Sequence, residues 1–174
     1  YVMVALRRLL IDKGWFEGRC EPPNMRQFLD LVALGTVADV VPLDTNNRIL
    51  VQNGLAQIRR GLAIAGIQAL LEVANKSAVE LTSTDLGFAL GPRLNAAGRL
   101  DDMSIGIACL ITDDKSMARD IAIELDALNQ ERRQIEMSMQ LSADAHLEQL
   151  NTIGNDALPN AICLYDPSWH QGVI

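Results

Sequence analysis

The sequence predicts a mainly α-helical chain with a single strand near its end. Three observations predict this class. Apolar residues recur at helical spacing through the first 112 positions, broken at intervals by Gly and Pro. No Gly or Pro occurs between Asp113 and Leu150, a run that suits one long helix. The run Ala161-Ile-Cys-Leu-Tyr165 is short, apolar and preceded by a Pro-Asn break, which reads as a buried strand opening a second domain.

Each element follows from local signals. In residues 1–13, Val2, Leu6, Leu9 and Leu10 share a helical face, and Gly14 is a natural C-terminal stop. Glu21-Pro-Pro-Asn24 is a loop, with Asn24 placed to cap a helix from about Met25. That helix should turn Phe28, Leu29, Val32 and Ala33 inward and end in the apolar segment 35–43, at Pro42. Asp44-Thr-Asn-Asn47 is a cap or turn before a helix that runs to Arg60, with Gly61 behind it. Residues 66–75 and 84–90 are shorter helices, the second capped by Ser83 or Thr84. Residues 91–102 contain two glycines and a proline and are expected to form a loop. A short apolar helix follows at 104–110. On the long helix, Ile121, Leu125, Leu128, Ile135 and Met139 form one narrow seam, interrupted by Arg132. About 37 residues at 1.5 Å each extend roughly 55 Å. The seam suits a coiled-coil dimer or a strut packed along one side, and the strut is favoured. Asn151-Thr-Ile-Gly-Asn155, with Pro159, marks the next boundary.

Composition narrows the function classes. The chain of 174 residues can bury a real core, and its 49% hydrophobic and 21% charged content is that of a globular protein. Aromatics make up only 4%, which argues against a surface built from stacked bases. No apolar run approaches the ~20 residues of a membrane span, and the start Tyr-Val-Met-Val-Ala-Leu-Arg-Arg reads as an amphipathic helix entered midway rather than as a signal peptide. The first residue is not Met, and the chain stops in an apolar run, which predicts a piece of a longer protein. Cys20, Cys109 and Cys163 are odd in number and far apart, fitting neither a disulfide framework nor a zinc site; Cys109 and Cys163 lie in apolar runs and are expected to be packing residues in a reducing cytoplasm. The net charge of −7 opposes indiscriminate nucleic-acid binding. Its distribution is uneven: residues 1–100 hold 11 basic and 9 acidic side chains, whereas 101–174 hold 4 basic and 13 acidic. Any anion-binding surface therefore belongs to the first hundred residues.

Three groups could carry chemistry. Asp39 stands inside Val37-Ala-Asp-Val-Val41, where an unpaired carboxylate is costly. It is a cap, a structural ion-pair partner or a hard-oxygen ligand for Mg²⁺ or Mn²⁺. Arg93 and Arg99, with Asn95 between them, either pair with Asp101, Asp102 or Asp85, or cradle a phosphate among small residues. His170, in Trp169-His-Gln-Gly172, is a structural histidine, or one that binds a phosphate or assists proton transfer, on a strand-end loop. His146, Arg59-Arg60 and Arg132-Arg133 read as solvated helix faces.

Taken in order, five segments carry a resemblance. They are Leu31-Val-Ala-Leu-Gly-Thr-Val-Ala-Asp-Val-Val-Pro-Leu-Asp44, Asn46-Asn-Arg-Ile-Leu50, Asp85-Leu-Gly-Phe-Ala-Leu-Gly-Pro-Arg-Leu-Asn-Ala-Ala-Gly-Arg-Leu-Asp-Asp102, Glu124-Leu-Asp-Ala-Leu-Asn-Gln-Glu-Arg-Arg133 and Trp169-His-Gln-Gly-Val-Ile174. Their order and spacing closely resemble the RecJ family, bacterial single-strand-specific exonucleases of the DHH phosphoesterase superfamily. The resemblance implies an α/β parent that degrades single-stranded DNA 5′→3′ in repair and recombination, using Mn²⁺ or Mg²⁺. It implies that residues 1–112 are the C-terminal part of the DHH catalytic domain, 113–150 the connector helix, and 151–174 the start of a DHHA1-type second domain. Asp39 then matches the metal-binding aspartate of the fourth family motif, the catalytic residue of this chain. Arg93, Asn95, Arg99 and His170 become DNA- and phosphate-binding residues. The first aspartate motif and the Asp-His-His motif are expected before Tyr1, and the glycine-rich His motif after Ile174, so the chain alone should be inactive. A single-strand-binding protein and a helicase are the macromolecular partners the family implies. Two other readings remain: a different DHH phosphodiesterase acting on short oligonucleotides, cyclic dinucleotides or pyrophosphate, and a non-catalytic helical interaction module using 113–150.

Overall fold

The computed structural model describes residues 1–153 and 161–173. Regular structure among them is entirely helical: α1 (Val2–Asp12), a 3-10 turn (Met25–Phe28), α2 (Leu29–Ala38), α3 (Thr45–Arg59), α4 (Ala65–Val73), α5 (Ser83–Asp85), a π-type turn (Leu86–Leu90), α6 (Gly91–Leu100), α7 (Ser104–Ile111) and α8 (Lys115–Ile153). The chain divides into two compact units, one of residues 1–63 and 78–87, the other of 64–77 and 88–174.

In the first unit, α2 packs against α3. Gly54 makes this possible, because a Cβ there would collide with the Leu29 carbonyl and the Ala33 methyl. Ala33, Leu34, Val51, Leu55, Ile58, Leu81 and Leu86 form the buried set. Of the four residues expected to face inward on the helix from Met25, Ala33 alone is buried and Leu29 is half-buried, while Phe28, which ends the 3-10 turn, and Val32 are exposed. Leu34 and Asp30 take the inner positions instead. The helix is apolar almost all round, so its sequence could not name the face that α3 selects. Nor does α1 bury any residue. Asn24 caps as expected, its Oδ1 accepting from the Arg26 N–H at 3.1 Å, and Asp44 caps α3 through the Asn47 N–H at 2.8 Å. The α5 cap is Thr82 rather than Ser83 or Thr84, in a reciprocal box with Asp85.

Four helices end in the same motif. The N–H groups of Trp15, Val41, Leu62 and Lys76 reach back to the carbonyls of Leu10, Thr36, Gln57 and Leu71. The residue just before each donor has a positive φ: Gly14 (64°), Val40 (54°), Gly61 (72°) and Asn75 (52°).

The second unit is a cluster of α4, α6, α7 and α8. Helix α8 covers 39 residues and buries Ala118, Ala122, Leu125 and Asn129 against its neighbours. Of the expected seam, Leu125 is buried within the unit, and Ile121, Leu128, Ile135 and Met139 are half-buried. Gly66 lets α4 lie directly on the Cys109 carbonyl of α7.

Two sequence expectations are corrected here. Residues 91–102 are not a loop, since α6 occupies 91–100. Pro92 sits in its first turn, where the missing N–H costs nothing, and Ala96 and Ala97 are buried. Gly98 makes room for Met103, whose Cε would lie 2.8 Å from an added Cβ. The small residues serve helix packing. The strand at 161–165 is also absent: that stretch has no regular structure, and Tyr165 is exposed. A strand requires a ladder partner for its backbone groups, and no strand exists among the described residues to provide one. The expected boundary at 151–155 begins with helical residues 151–153; its remainder, with Pro159, lies outside the described residues.

Candidate functional site

In the first unit the site begins at the end of α2. Asp39 is its C-cap residue and is exposed. The backbone closes around it: the Asp39 N–H bonds the Gly35 carbonyl at 3.1 Å, Val40 the Val37 carbonyl at 3.2 Å and Val41 the Thr36 carbonyl at 3.0 Å. The following loop is pinned from α3, where Asn47 Nδ2 donates to the Pro42 carbonyl at 2.9 Å and Arg48 Nε to the Leu43 carbonyl at 2.7 Å.

Two residue choices at this point oppose stability. A carboxylate at a helix C-terminus faces the negative end of the helix dipole, an effect of about 0.3–1 kcal/mol, and the last turn of α2 holds no basic side chain. Beside it, Val40 occupies the left-handed region at φ 54°. That conformation costs an L-residue about 1–2 kcal/mol, and a β-branched residue adopts it least readily. The Val40 side chain is 86% exposed, so packing does not offset the strain within this chain. A cation at Asp39 would reverse the first penalty. As a single hard-oxygen donor, Asp39 suits Mg²⁺ or Mn²⁺. Among the described residues, no group of three or more His, Cys, Asp or Glu gathers to hold a metal.

In the second unit, α6 and residues 166–173 bring Arg99 and His170 together through Gly172, with Asn95 on the same helix as Arg99. Asn95 and Arg99 are one helical turn apart on the exposed side of α6. Arg99 Nη1 donates to the Gly172 carbonyl at 2.9 Å, and the Gly172 N–H donates to His170 Nδ1 at 3.2 Å. That bond makes Nδ1 the acceptor, so neutral His170 carries its proton on Nε2. Gly172 is required, because a Cβ would lie 2.7 Å from the Arg99 carbonyl. The segment is anchored further by Trp169, whose Nε1 donates to Ser142 Oγ at 3.3 Å and whose ring meets His146 edge-on. Asp166 accepts from the Ser168 hydroxyl at 2.6 Å and its N–H at 2.8 Å. These bonds, with His146 nearby, hold its carboxyl below the usual range.

Arg93 is separated from this group. It points to α8, where its Nε meets Asp126 Oδ1 at 2.7 Å, and its Nη1 donates to the Ala89 carbonyl at 2.6 Å. Gln130 Nε2 fixes the other Asp126 oxygen at 2.7 Å. The ion pair expected within 85–102 is thus made with Asp126 instead, and Asp102 accepts from the Ser104 N–H and hydroxyl, which lower its carboxyl pKa. Sequence reasoning missed Asp126 and Val40. Asp126 carried no signal, lying 33 positions from Arg93. Val40 carried one, as a β-branched residue where Gly14, Gly61 and Asn75 mark the other helix ends.

No family model matches the chain. Curated relatives do. The chain is 57% identical over 175 residues to the single-stranded-DNA-specific exonuclease RecJ of Salmonella typhimurium and 58% identical over 175 to that of Escherichia coli, in each case across the whole chain. It is 35% identical over 153 residues to the RecJ of Thermus thermophilus. The chain spans about 30% of the length of the first two relatives. Among solved structures, exonuclease RecJ bound to manganese superposes with a TM-score of 0.73 at 33% identity, covering 98% of this chain and 40% of that one. RecJ from Thermus thermophilus in complex with Mg²⁺ gives the same TM-score of 0.73, covering 98% and 25%.

Proposed function

This chain belongs to the RecJ family, and we propose that it supplies one metal ligand and a DNA-gripping helix to a 5′→3′ exonuclease acting on single-stranded DNA. The observation that carries the reading is the 57–58% identity to exonucleases of that name across every part of the chain. Asp39 is the catalytic and metal-binding residue of this segment, holding Mn²⁺ or Mg²⁺ with ligands from elsewhere in the parent. When bound, the metal lowers the pKa of a water and neutralises charge on the phosphoryl oxygens.

The chain's own residues bind and orient. Arg99 has an exposed guanidinium, steadied by the Gly172 carbonyl, and is the phosphate contact. Asn95 presents its amide from the same side of α6, and His170 offers Nε2–H as a further donor. Arg93 acts differently from the sequence expectation, clamping α6 to α8 through Asp126. Helix α8 is the connector to the second domain. The setting is the bacterial cytoplasm, in keeping with three cysteines that remain unpaired. A single-strand-binding protein and a helicase are the partners the family suggests.

The test uses the full-length protein. Asp39→Ala should abolish Mn²⁺-dependent release of nucleotides while the helical CD signal is kept. Arg99→Ala should weaken single-stranded DNA binding and reduce the salt slope by about one. Arg93→Ala should lower thermal stability more than it changes that slope. An unchanged affinity and slope in Arg99→Ala would reject the phosphate role.

A further inference from the structure

We infer that Val40 is a positioning residue, whose strained backbone holds Asp39 ready for its metal; this rests on reading Asp39 as a ligand. The same helix-ending motif occurs four times, and three of its left-handed positions carry Gly14, Gly61 and Asn75, the residue types that adopt it easily. At the fourth, next to the candidate ligand, stands a β-branched residue at φ 54°. Its side chain is 86% exposed, so it was not placed there to fill this unit's core.

The strain is held from both sides. The Val40 and Val41 N–H groups are tied to the end of α2, and Pro42 and Leu43 are tied by their carbonyls to Asn47 and Arg48 of α3. Backbone strain persists only where surroundings over-determine it, and it concentrates at ligand sites. A glycine at this position would open a wide range of φ and ψ values. The Asp39 carboxylate, itself unfavourable at the end of α2, would then relax away from its working position. Valine's two γ-methyl groups restrict the joint and keep the carboxylate oriented before metal arrives.

The experiment measures Mn²⁺ binding to the full-length protein by the electron paramagnetic resonance signal of free Mn²⁺, with thermal unfolding of the metal-free protein alongside. Val40→Gly and Val40→Asn should raise the metal-free Tm and weaken Mn²⁺ affinity roughly tenfold, the scale on which groups supporting a ligand act. The Mn²⁺ concentration for half-maximal activity should rise more than kcat falls. Val40→Ile keeps the β-branch and should keep the affinity. Unchanged Mn²⁺ affinity in Val40→Gly overturns the inference. So does a lowered metal-free Tm, which would show that Val40 is kept for packing. Asp39→Asn separates the two levels. If it loses affinity while Val40→Gly does not, only the positioning role fails. If it too leaves affinity unchanged, ligand and support fail together.

Discussion

Single residues in this chain show how environment divides groups of one chemical type. Arg93 and Arg99 are six positions apart on one helix, yet Arg93 is half-buried on Asp126 and Arg99 is exposed beside Gly172. The sequence marks both as anion-binding candidates. It cannot separate them, because the partner that commits Arg93 comes from α8. The cysteines divide in the same way. Cys20 and Cys163 are exposed, whereas Cys109 is buried on α7, and burial pushes its thiol up to about 11. Only the thiolate attacks a disulfide reagent. At pH 8, two thiols should therefore react quickly and Cys109 only on unfolding, as a thiol titration of native and denatured chain will show. A third fast thiol would mean that α7 opens readily. The packing role of Cys109 was legible from its apolar run; the exposure of Cys163 was not, because it depended on the strand that did not form.

At the scale of elements, helices were legible where a stop or a cap marked them. Gly14, Asn24, Asp44 and Gly61 all stand where the backbone needs them. Reading failed where glycine and proline served packing instead of a break, as in α6, and where an apolar run lacked a ladder partner, as at 161–165. The segment 166–173 makes a testable case of a short element held by side chains. Asp166 is kept below the usual carboxylate range, first by the Ser168 hydroxyl, then by the Ser168 N–H, with His146 adding to the effect. A depressed folded pKa means that the stabilisation is present above the ordinary value of 3.8 and is lost as pH falls through the lower, folded one. In a Trp15→Phe background, Trp169 fluorescence reports this segment. It should hold steady from pH 7 to about 4, the upper edge of unperturbed Asp titration, and change in stronger acid. Asp166→Ala should show the altered signal already at pH 7. A midpoint above pH 5 would instead assign the transition to a histidine.

At the scale of the whole molecule, the family was readable because its motifs are specific in order and spacing, while the fold class was only half readable. The helical content was predicted and observed, but the α/β character expected from the resemblance has no strand behind it in the described residues. The same limit governs activity. Metal-assisted phosphodiester hydrolysis needs a cation fixed by several ligands, so that it can activate water and stabilise developing charge. Among the described residues Asp39 has no such companions, and no cluster of three ligating side chains exists. The chain also spans about 30% of the length of its Salmonella typhimurium and Escherichia coli relatives. Purified by itself with Mn²⁺ and 5′-labelled single-stranded DNA, the 174-residue chain should release no nucleotides. Its Mn²⁺ affinity should fall well below that of the full-length protein, since one exposed carboxylate holds a divalent ion weakly. Adding the missing portion in cis should restore both together. Nuclease activity from the chain alone, lost on Asp39→Ala, would show instead that this segment assembles a complete centre of its own.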